Sequence, residues 1–285
     1  MSNIPLIDIQ QMSYTYPVEK QGKMTAPDKK TLDDINLQVQ RGEYVAILGH
    51  NGSGKSTLAR HCNALLLPDS GQVLVDGRDT RDPASHQYVR DRMGMIFQNP
   101  DNQLIATVVE DDVAWGLAIR GIPVQEIRAR VDMALRAVNI EHLRLLAPHK
   151  LSGGQRQRVA IAGIVALRPL CIIADEATSM LDPQARQELT HVLYELHRDY
   201  GLTILHVTHL LEEVIFAQRI LVMEQGRIIL EETPSSLFAD VEKLRALKLV
   251  VPDYILLADR LRQAGLAISQ SAVTVDALAR EIANE

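Results

Sequence analysis

The segment Gly49-His-Asn-Gly-Ser-Gly54-Lys55-Ser56 lies between an apolar run at residues 44–48 and a stretch with helical character. It fits the pattern G-x-x-x-x-G-K-[ST], in which glycines allow backbone N–H groups to converge on phosphate oxygens at a helix start. In this pattern Lys55 reaches the β- and γ-phosphates and the Ser56 hydroxyl coordinates Mg²⁺. A glycine-rich turn would match by chance in roughly 1% of such chains. We therefore predict a nucleotide-binding loop.

Two carboxylates end another apolar run, Leu170-Cys-Ile-Ile-Ala-Asp175-Glu176. A carboxylate at the C-terminal end of a strand near a phosphate loop is suited to hold Mg²⁺ through water, which makes Asp175 a metal candidate. Glu176 can polarise the attacking water as a general base. Taken alone, the pair is read equally well as an acidic turn after a core strand.

A third element, Leu151-Ser-Gly-Gly-Gln155, stands between the other two in the chain. Ser152 and Gln155 have the spacing of a capping box, so two glycines and a capped helix start present free N–H groups to an anion. The chain then carries two phosphate-binding helix starts, although one nucleotide needs only one. The economical interpretation is that the second completes the site of a partner subunit.

Hydrophobic periodicity predicts an α/β fold. Helical patterns at residues 107–120 and 124–137 indicate an inserted helical subdomain at about residues 99–165, with Thr107 and Glu110 as the capping box of its first helix. Residues 19–30 have turn composition and are predicted to form a loop. A small helical extension is expected over residues 239–285, with Thr274 capping its last helix. Strands are predicted near residues 12–16, 35–39, 44–48, 71–77, 170–174, 203–207 and 220–223.

Composition limits the functional classes. The chain has 285 residues, 46% of them hydrophobic, and a formal net charge of -6, which offers no general attraction for nucleic acid. No apolar run approaches the ~20 residues that span a bilayer, and the N-terminus does not resemble a secretion signal. Cys62 and Cys171 are too few for a disulfide scaffold, and Cys171 is predicted to be a core residue.

The three motifs, in this order over residues 4–238, resemble the nucleotide-binding ATPase of an ABC transporter. The resemblance implies a P-loop NTPase core with an N-terminal antiparallel β-subdomain, and ATP and Mg²⁺ as cofactors. It implies catalytic roles for Lys55, Gln98, Glu176 and His209, with Gln98 also contacting Mg²⁺ beside Ser56 and Asp175. His206, three residues before His209, is expected to have a structural role. The nucleotide-contacting residues that it implies are Tyr16, Gly49, Asn51, Gly52, Ser53, Gly54, Lys55, Ser56, Thr57, Ser152, Gly153, Gly154, Gln155 and Asp182.

A narrower resemblance, to the ATPases of energy-coupling factor importers, appears in residues 98–113, 151–163 and 177–183. The sequence of the Gln98 segment is more similar to the first of the two ATPase paralogues in those importers. This implies an ATPase domain at residues 1–238, a dimerising or regulatory extension at 239–285, and a peripheral position on the cytoplasmic face of the membrane. The implied partners are a second ATPase chain, identical or paralogous, a transmembrane coupling protein and a substrate-binding membrane subunit. The implied cargo is a vitamin or a transition-metal ion.

Three functional alternatives stay open at this stage. The chain could serve another ABC transporter, or act as a soluble ABC ATPase or a binding module without turnover. Trp115, the only tryptophan, could dock the cytosolic helices of a membrane partner or could be a buried core residue, because large aromatic side chains serve both uses.

Overall fold

Strand β5, Tyr44–Gly49, is buried along its whole length because the sheet that contains it is covered on both faces. The computed structural model describes residues 4–20, 23–25, 30–269 and 274–284. Its strands are β1 (Ile7–Tyr14), β2 (Val18–Lys20), β3 (Lys23–Thr25), β4 (Leu32–Val39), β5 (Tyr44–Gly49), β6 (Ser70–Val75), β7 (Arg78–Asp79), β8 (Met93–Ile96), β9 (Cys171–Asp175), β10 (Thr203–Thr208), β11 (Arg219–Glu224) and β12 (Arg227–Glu232).

The central sheet has six strands in the order β12-β11-β5-β10-β9-β8. Strands β8, β9, β10, β5 and β11 are parallel, and β12 is an antiparallel edge strand. Because parallel strands end at the same edge of a sheet, the segments that follow β5, β9 and β10 meet there. These are the segments that carry the phosphate loop, the Asp175-Glu176 pair and His209.

The N-terminal part forms the expected antiparallel sheet, with strand order β4-β1-β6-β7. The loop predicted at residues 19–30 is wrong in part, because β2 and β3 pair there as a short antiparallel hairpin. Three residues per strand are too few to show a period of two, so turn composition was the only sequence signal. Residues 21, 22 and 26–29 of that predicted loop lie outside the described residues.

The helical region expected between the strand-rich parts is present as α3, α4 and α5, which pack against one another. The helices are α1 (Lys55–Cys62), α2 (His86–Arg92), α3 (Val109–Ile119), α4 (Val124–Ala137), α5 (Gly153–Ala166), α6 (Pro183–Tyr200), α7 (Pro234–Ala239), α8 (Val241–Ala246), α9 (Asp253–Gln263) and α10 (Val275–Asn284). Among the described residues, no helix combines the length and the apolarity needed to cross a bilayer.

The capping box predicted at Thr107 and Glu110 is wrong. Helix α3 follows Val108, and no side chain caps it. Its first N–H groups, those of Val109 and Glu110, instead donate to backbone carbonyls of residues 146 and 144, at 3.0 Å each. Free N–H groups at a helix start need acceptors, and here a distant part of the chain supplies them, which local spacing does not reveal.

The C-terminal helices α7, α8 and α9 pack into the core of the helical region through buried side chains such as Phe238, Leu244 and Ile255, and polar contacts add to this packing. His50 Nε2 lies 3.0 Å from the carbonyl oxygen of Leu247, and Lys243 forms an ion pair with Glu232. Thr274 accepts the N–H of Ala277 at 3.1 Å, which confirms it as a cap. The small helical extension is therefore joined to the phosphate loop through His50.

Successive residues of β5 point to two different cores, as the period of a strand requires. Tyr44, Ala46 and Leu48 pack with the helical region, and Val45 and Ile47 pack with the antiparallel sheet and α1. Cys62 and Cys171 are free and buried in the second core, as predicted for Cys171. The core reading of Trp115 is wrong, because this side chain is 46% exposed.

Candidate nucleotide-binding and hydrolysis site

The phosphate loop joins the end of β5 to the start of α1, and two of its glycines are required by close packing. Gly54 is the N-cap residue of α1 with φ +103°, a conformation that side-chain-bearing residues rarely adopt. A Cβ on Gly54 would also lie 2.8 Å from Leu32 Cδ2. A Cβ on Gly49 would collide with the carbonyl oxygen of Met223. The backbone at these positions is therefore fixed by contacts with neighbouring strands.

Lys55 is the buried cation of the loop, with only 3% of its side chain exposed. Its Nζ donates to the carbonyl oxygens of Gly49 at 2.8 Å and His50 at 3.0 Å, and lies 3.6 Å from Glu176 Oε1. Burial lowers the pKa of the Lys55 ammonium, and the Glu176 carboxylate opposes that shift. The cation is thus held at the loop by backbone dipoles and by the neighbouring carboxylate.

Ser56 and Asp175 meet as the sequence predicts. The Ser56 hydroxyl donates to Asp175 Oδ1 at 2.6 Å, across the gap between α1 and the end of β9. Burial raises the pKa of the Asp175 carboxyl, while the Ser56 hydrogen bond and the Arg60 charge oppose the shift. Both side chains line an open cleft of about 420 Å³. Hydroxyl and carboxylate oxygens are donors of the kind that Mg²⁺ prefers, so this pair fits the ion.

Glu176 follows β9 with φ +50°, an unusual conformation for a residue other than glycine. Its N–H donates to the carbonyl oxygen of Val207 at 3.0 Å, and its own carbonyl accepts the N–H and the hydroxyl of Ser179. These bonds direct the carboxylate so that Oε1 lies 4.0 Å from His209 Nδ1. Lys55, Glu176 and His209 are therefore brought together at one edge of the sheet.

Gln98 is exposed and lines the same cleft as Ser56 and Asp175. The residue before it, Phe97, is held through both its N–H and its carbonyl group. Gln103 Oε1 accepts the N–H of Phe97 at 2.9 Å, and the buried Gln157 donates to the Phe97 carbonyl at 3.1 Å. Gln157 belongs to α5, so the helix that begins with the Ser152 motif is bonded directly to the Gln98 loop.

Four residues that line the cleft were missed by sequence reasoning. Arg60 stands four residues after Ser56 in α1, so helical spacing would have placed it on the same face. Asn99 caps a short 3₁₀ turn by accepting the N–H of Asp101 at 2.9 Å. Phe97 and Asn102 carry no signal in the sequence, since they reach the cleft only through the fold of that turn.

The second helix start forms the capping box that the sequence predicts. The N–H of Ser152 donates to Gln155 Oε1 at 2.9 Å, and the N–H of Gln155 donates to Ser152 Oγ at 3.3 Å. Ser152 is exposed, and among the described residues that line the Ser56 cleft none belongs to this motif. Gly153 and Gly154 instead adjoin Leu181 and the start of α6. The structure therefore does not bring the two helix starts together within one chain.

The other predicted nucleotide contacts lie around the loop. Tyr16 follows the end of β1, and its hydroxyl lies 3.4 Å from Thr57 Oγ1, which brings an exposed aromatic ring beside α1. Ser53 and Thr57 are buried, whereas Asn51 and Gly52 are exposed on the loop. Asp182 is the cap of α6, where it accepts the N–H of Ala185 at 2.9 Å. His206 is fully buried and bonded to the Tyr44 hydroxyl, so its structural role is confirmed.

The family model described as ABC transporter matches residues 32–179, which is more than half of the chain. The chain belongs to the ABC transporter ATPase family. The phosphate loop, the Gln98 loop, the Ser152 motif and the Asp175-Glu176 pair all lie within the matched residues. The expected fold class and ATP-hydrolysing activity are confirmed, and nucleotide binding follows from the family.

Individual relatives identify a narrower group within this family. The energy-coupling factor transporter ATP-binding protein EcfA1 of Symbiobacterium thermophilum is 50% identical over 274 residues, 96% of this chain and 95% of that protein. The protein of the same name from Clostridium novyi is 47% identical over 274 residues, 96% of each. The resemblance to the first paralogue of the energy-coupling factor ATPases is therefore confirmed.

Solved structures share the architecture. The cbiO1 protein of Clostridium perfringens, described as part of the ABC transporter complex cbiONQ, is 37% identical with a TM-score of 0.76, covering 89% of this chain and 98% of its own. The ATP-binding cassette MJ0796, described as a dimer in a post-hydrolysis state bound to ADP and Pi, is 29% identical with a TM-score of 0.69, covering 80% of this chain and 98% of its own.

Proposed function

We propose that the chain hydrolyses ATP between two ATPase subunits and thereby drives an energy-coupling factor importer. The observation that carries this proposal is the separation of the two helix starts. One has a buried cation and neighbouring carboxylates, whereas the other has exposed, capped N–H groups and no part in the Ser56 cleft. ATP joins them when it binds between the loop at residues 49–56 of one subunit and residues 151–155 of the other. The dimeric, ADP-bound cassette among the relatives supports this arrangement.

In the bound state the loop N–H groups and Lys55 neutralise the phosphates, and Tyr16 stacks on the adenine. Ser56 and Asp175 would hold Mg²⁺, and Gln98, which lines the same cleft, would contact the ion as well. When bound, the ion polarises the phosphate oxygens and stabilises the charge that develops during transfer. The fit of the ion rests on the 2.6 Å contact between the Ser56 hydroxyl and the Asp175 carboxylate.

Glu176 accepts a proton from the attacking water. At the same time the water oxygen bonds to the γ-phosphorus, and the bond between that phosphorus and the oxygen that stays with ADP breaks. His209 and Lys55 stabilise the negative charge on the phosphoryl oxygens. The distances of Glu176 Oε1 from Lys55 Nζ (3.6 Å) and His209 Nδ1 (4.0 Å) support these roles. Ser152 and Gly154 of the partner subunit close the site and exclude water, and Asp182 lies on the loop that crosses to the partner.

Transport requires membrane partners, as in the cbiONQ complex named for one relative. We assign their docking to the helical region, where Trp115 is 46% exposed and lines a groove together with Asp112 and Gly116. This position puts the chain on the cytoplasmic face of the membrane. We assign residues 1–238 to the ATPase domain and 239–285 to an extension that acts in pairing or regulation. The imported solute is a vitamin or a transition-metal ion, selected by a separate subunit.

Replacing the general base tests the chemistry. Glu176→Gln preserves size while removing the basic oxygen, so we expect phosphate release to fall about 10²- to 10⁴-fold. We also expect an ATP-bound dimer to accumulate, which size-exclusion chromatography with ATP and Mg²⁺ would detect. Glu188→Gln is the matched control, since Glu188 is a surface residue paired with Arg158. Unchanged turnover in Glu176→Gln would disprove the assignment of the base.

Copurification tests the partners. Mild extraction of the tagged chain from its native membranes, followed by mass determination of the bound subunits, should recover a second ATPase chain and two membrane proteins. Recovery of a single chain without membrane subunits, from extracts in which ATPase activity is retained, would contradict the transport role and favour a soluble ATPase.

A further inference from the structure

Glu213 is a carboxylate buried below the hydrolysis site, with 1% of the residue exposed. Thr178 Oγ1 donates to its Oε1 at 2.5 Å, and Thr208 Oγ1 donates to its Oε2. Both threonines are also buried. A buried carboxylate is costly unless hydrogen bonds and opposite charges compensate, so this arrangement calls for an explanation.

Two basic side chains lie beside the same carboxylate. His206 Nε2 lies 3.5 Å from Oε2, and Arg186 Nε lies 3.6 Å from Oε1. Burial raises the pKa of the Glu213 carboxyl, but the adjacent His206 and the hydroxyls of Thr178 and Thr208 outweigh it, so the pKa is lowered overall. The group is therefore held as an anion, which accepts both hydroxyl protons at once.

The two threonines belong to the segments that carry the reacting groups. Thr178 lies two residues after Glu176, and Thr208 immediately precedes His209. One carboxylate thus joins the loop after β9 to the end of β10, on the side of the sheet where Glu176 and His209 approach within 4.0 Å. Beyond the pairing of β9 with β10, the Glu176 N–H donates to the Val207 carbonyl at 3.0 Å.

We propose that Glu213 is a positioning residue for ATP hydrolysis, which holds Glu176 and His209 at their working separation through Thr178 and Thr208. Glu213 does not touch the nucleotide. It acts by fixing two backbone segments, and a shift of about 1 Å in such segments is enough to cost up to 10²-fold in rate. The inference rests on the proposed roles of Glu176 and His209.

Three substitutions separate positioning from simple core packing. Glu213→Gln keeps the volume but offers only one accepting oxygen, and its amide N–H₂ group faces Arg186 or His206. Thr208→Val removes one hydroxyl with little change of shape, and Thr208→Ser retains the hydroxyl. Thr190→Val is the matched control, because Thr190 is equally buried but its hydroxyl bonds only within α6, to the Arg186 carbonyl at 3.0 Å.

The measurements are kcat and KM for ATP with Mg²⁺, and the melting temperature, on the full-length chain in its assembly. We expect Glu213→Gln and Thr208→Val each to lower kcat about 10- to 100-fold with nearly unchanged KM, because ATP is held by a different loop. Thr208→Ser should restore most of kcat. The double variant should lower kcat by less than the product of the two single effects, because both variants break the bond between Thr208 and Glu213, whereas only Thr208→Val also removes the acceptor of the Leu210 N–H. Thr190→Val should lower the melting temperature without lowering kcat.

Each contrary result has a defined meaning. The proposal is wrong if Thr208→Val is as active as Thr208→Ser. It is also wrong if the Glu213 and Thr208 variants lose no more kcat than Thr190→Val does for the same drop in melting temperature. If Glu213→Gln does not fold, the Thr208 pair decides alone. Failure of the proposed function is distinguishable, because it would appear as unchanged turnover in Glu176→Gln, whatever the Glu213 and Thr208 variants do.

Discussion

The two helix starts of this chain use the same backbone chemistry in opposite surroundings. The start of α1 is enclosed: Lys55 is buried, and Ser56 is bonded to Asp175. The start of α5 is open: Ser152 is exposed, and its hydroxyl does no more than cap the helix. Only the first therefore has the charge needed to neutralise a triphosphate within its own chain.

A helix start that can bind an anion is therefore not by itself a complete catalytic site. N–H groups supply direction and a partial charge, whereas turnover also needs a cation, metal-binding oxygens and a base. The open start has the first property and no metal-binding oxygen or base in the Ser56 cleft, so under the proposed function it acts on a nucleotide that another subunit has bound. Three experiments test whether the two starts differ in this way.

The largest effect is expected from Lys55→Ala. Removing the buried cation leaves the developing charge on the phosphates without its nearest compensation, so kcat/KM should fall by at least about 10³-fold. ATP binding should weaken as well, because the same side chain contacts ground-state phosphates. Phosphate release and ATP titration measure the two effects. Lys243→Ala, which removes a cation that pairs with Glu232 away from the loop, is the control. Retained turnover would mean that the enclosed start is not the phosphate site.

A smaller loss of turnover, about 10²-fold, is expected from Gly153→Asp. A Cβ fits at this position, with Leu181 Cδ2 at 3.4 Å as its nearest neighbour, and an acidic residue suits the first turn of a helix. Its charge repels the γ-phosphate of the partner-bound ATP, while ATP binding by the dilute single chain should be unchanged. Gly163→Asp, at an open position further along α5, is the control. Parallel loss of binding and turnover would show that both starts serve one nucleotide in one chain.

The smallest effect concerns accessibility. Burial raises the pKa of the Cys62 thiol to about 12 and also raises that of Cys171, so neither native thiol should react with an alkylating reagent in the folded protein. A cysteine introduced by Ser152→Cys should react readily. In the Glu176→Gln background, ATP and Mg²⁺ should slow this labelling severalfold, as measured by mass spectrometry. Equal labelling rates with and without ATP would indicate that the open start is never covered.

Much of the site could be predicted from the sequence because its chemistry is local. The glycine spacing before Lys55 and the Ser152 capping box depend on neighbours within a few residues, and the structure has both. The Asp175-Glu176 pair followed from an apolar run that had to end at the edge of a sheet. The resemblance to a family supplied the roles of Gln98 and His209, which no local pattern reveals.

Where the prediction failed, distant residues decided the outcome. Thr107 has the spacing of a cap, but carbonyls of residues 144 and 146 already satisfy the helix start. Trp115 has the size of a core residue and nonetheless lies exposed on the helical region. For the start of α3 the competing acceptors come from a distant part of the chain, and for Trp115 the sequence left both interpretations open, because periodicity over a short window carries no information about tertiary surroundings.

The sequence by itself predicted two anion-binding helix starts and a pair of carboxylates to serve one of them, because backbone conformation and side-chain type fix such patterns over a few residues. It took the tertiary fold to show that the two starts lie apart, and that Glu213, to which no sequence pattern assigned a role, is a buried carboxylate between two loops. The physical reason is that burial and charge pairing depend on which strands become neighbours in the sheet.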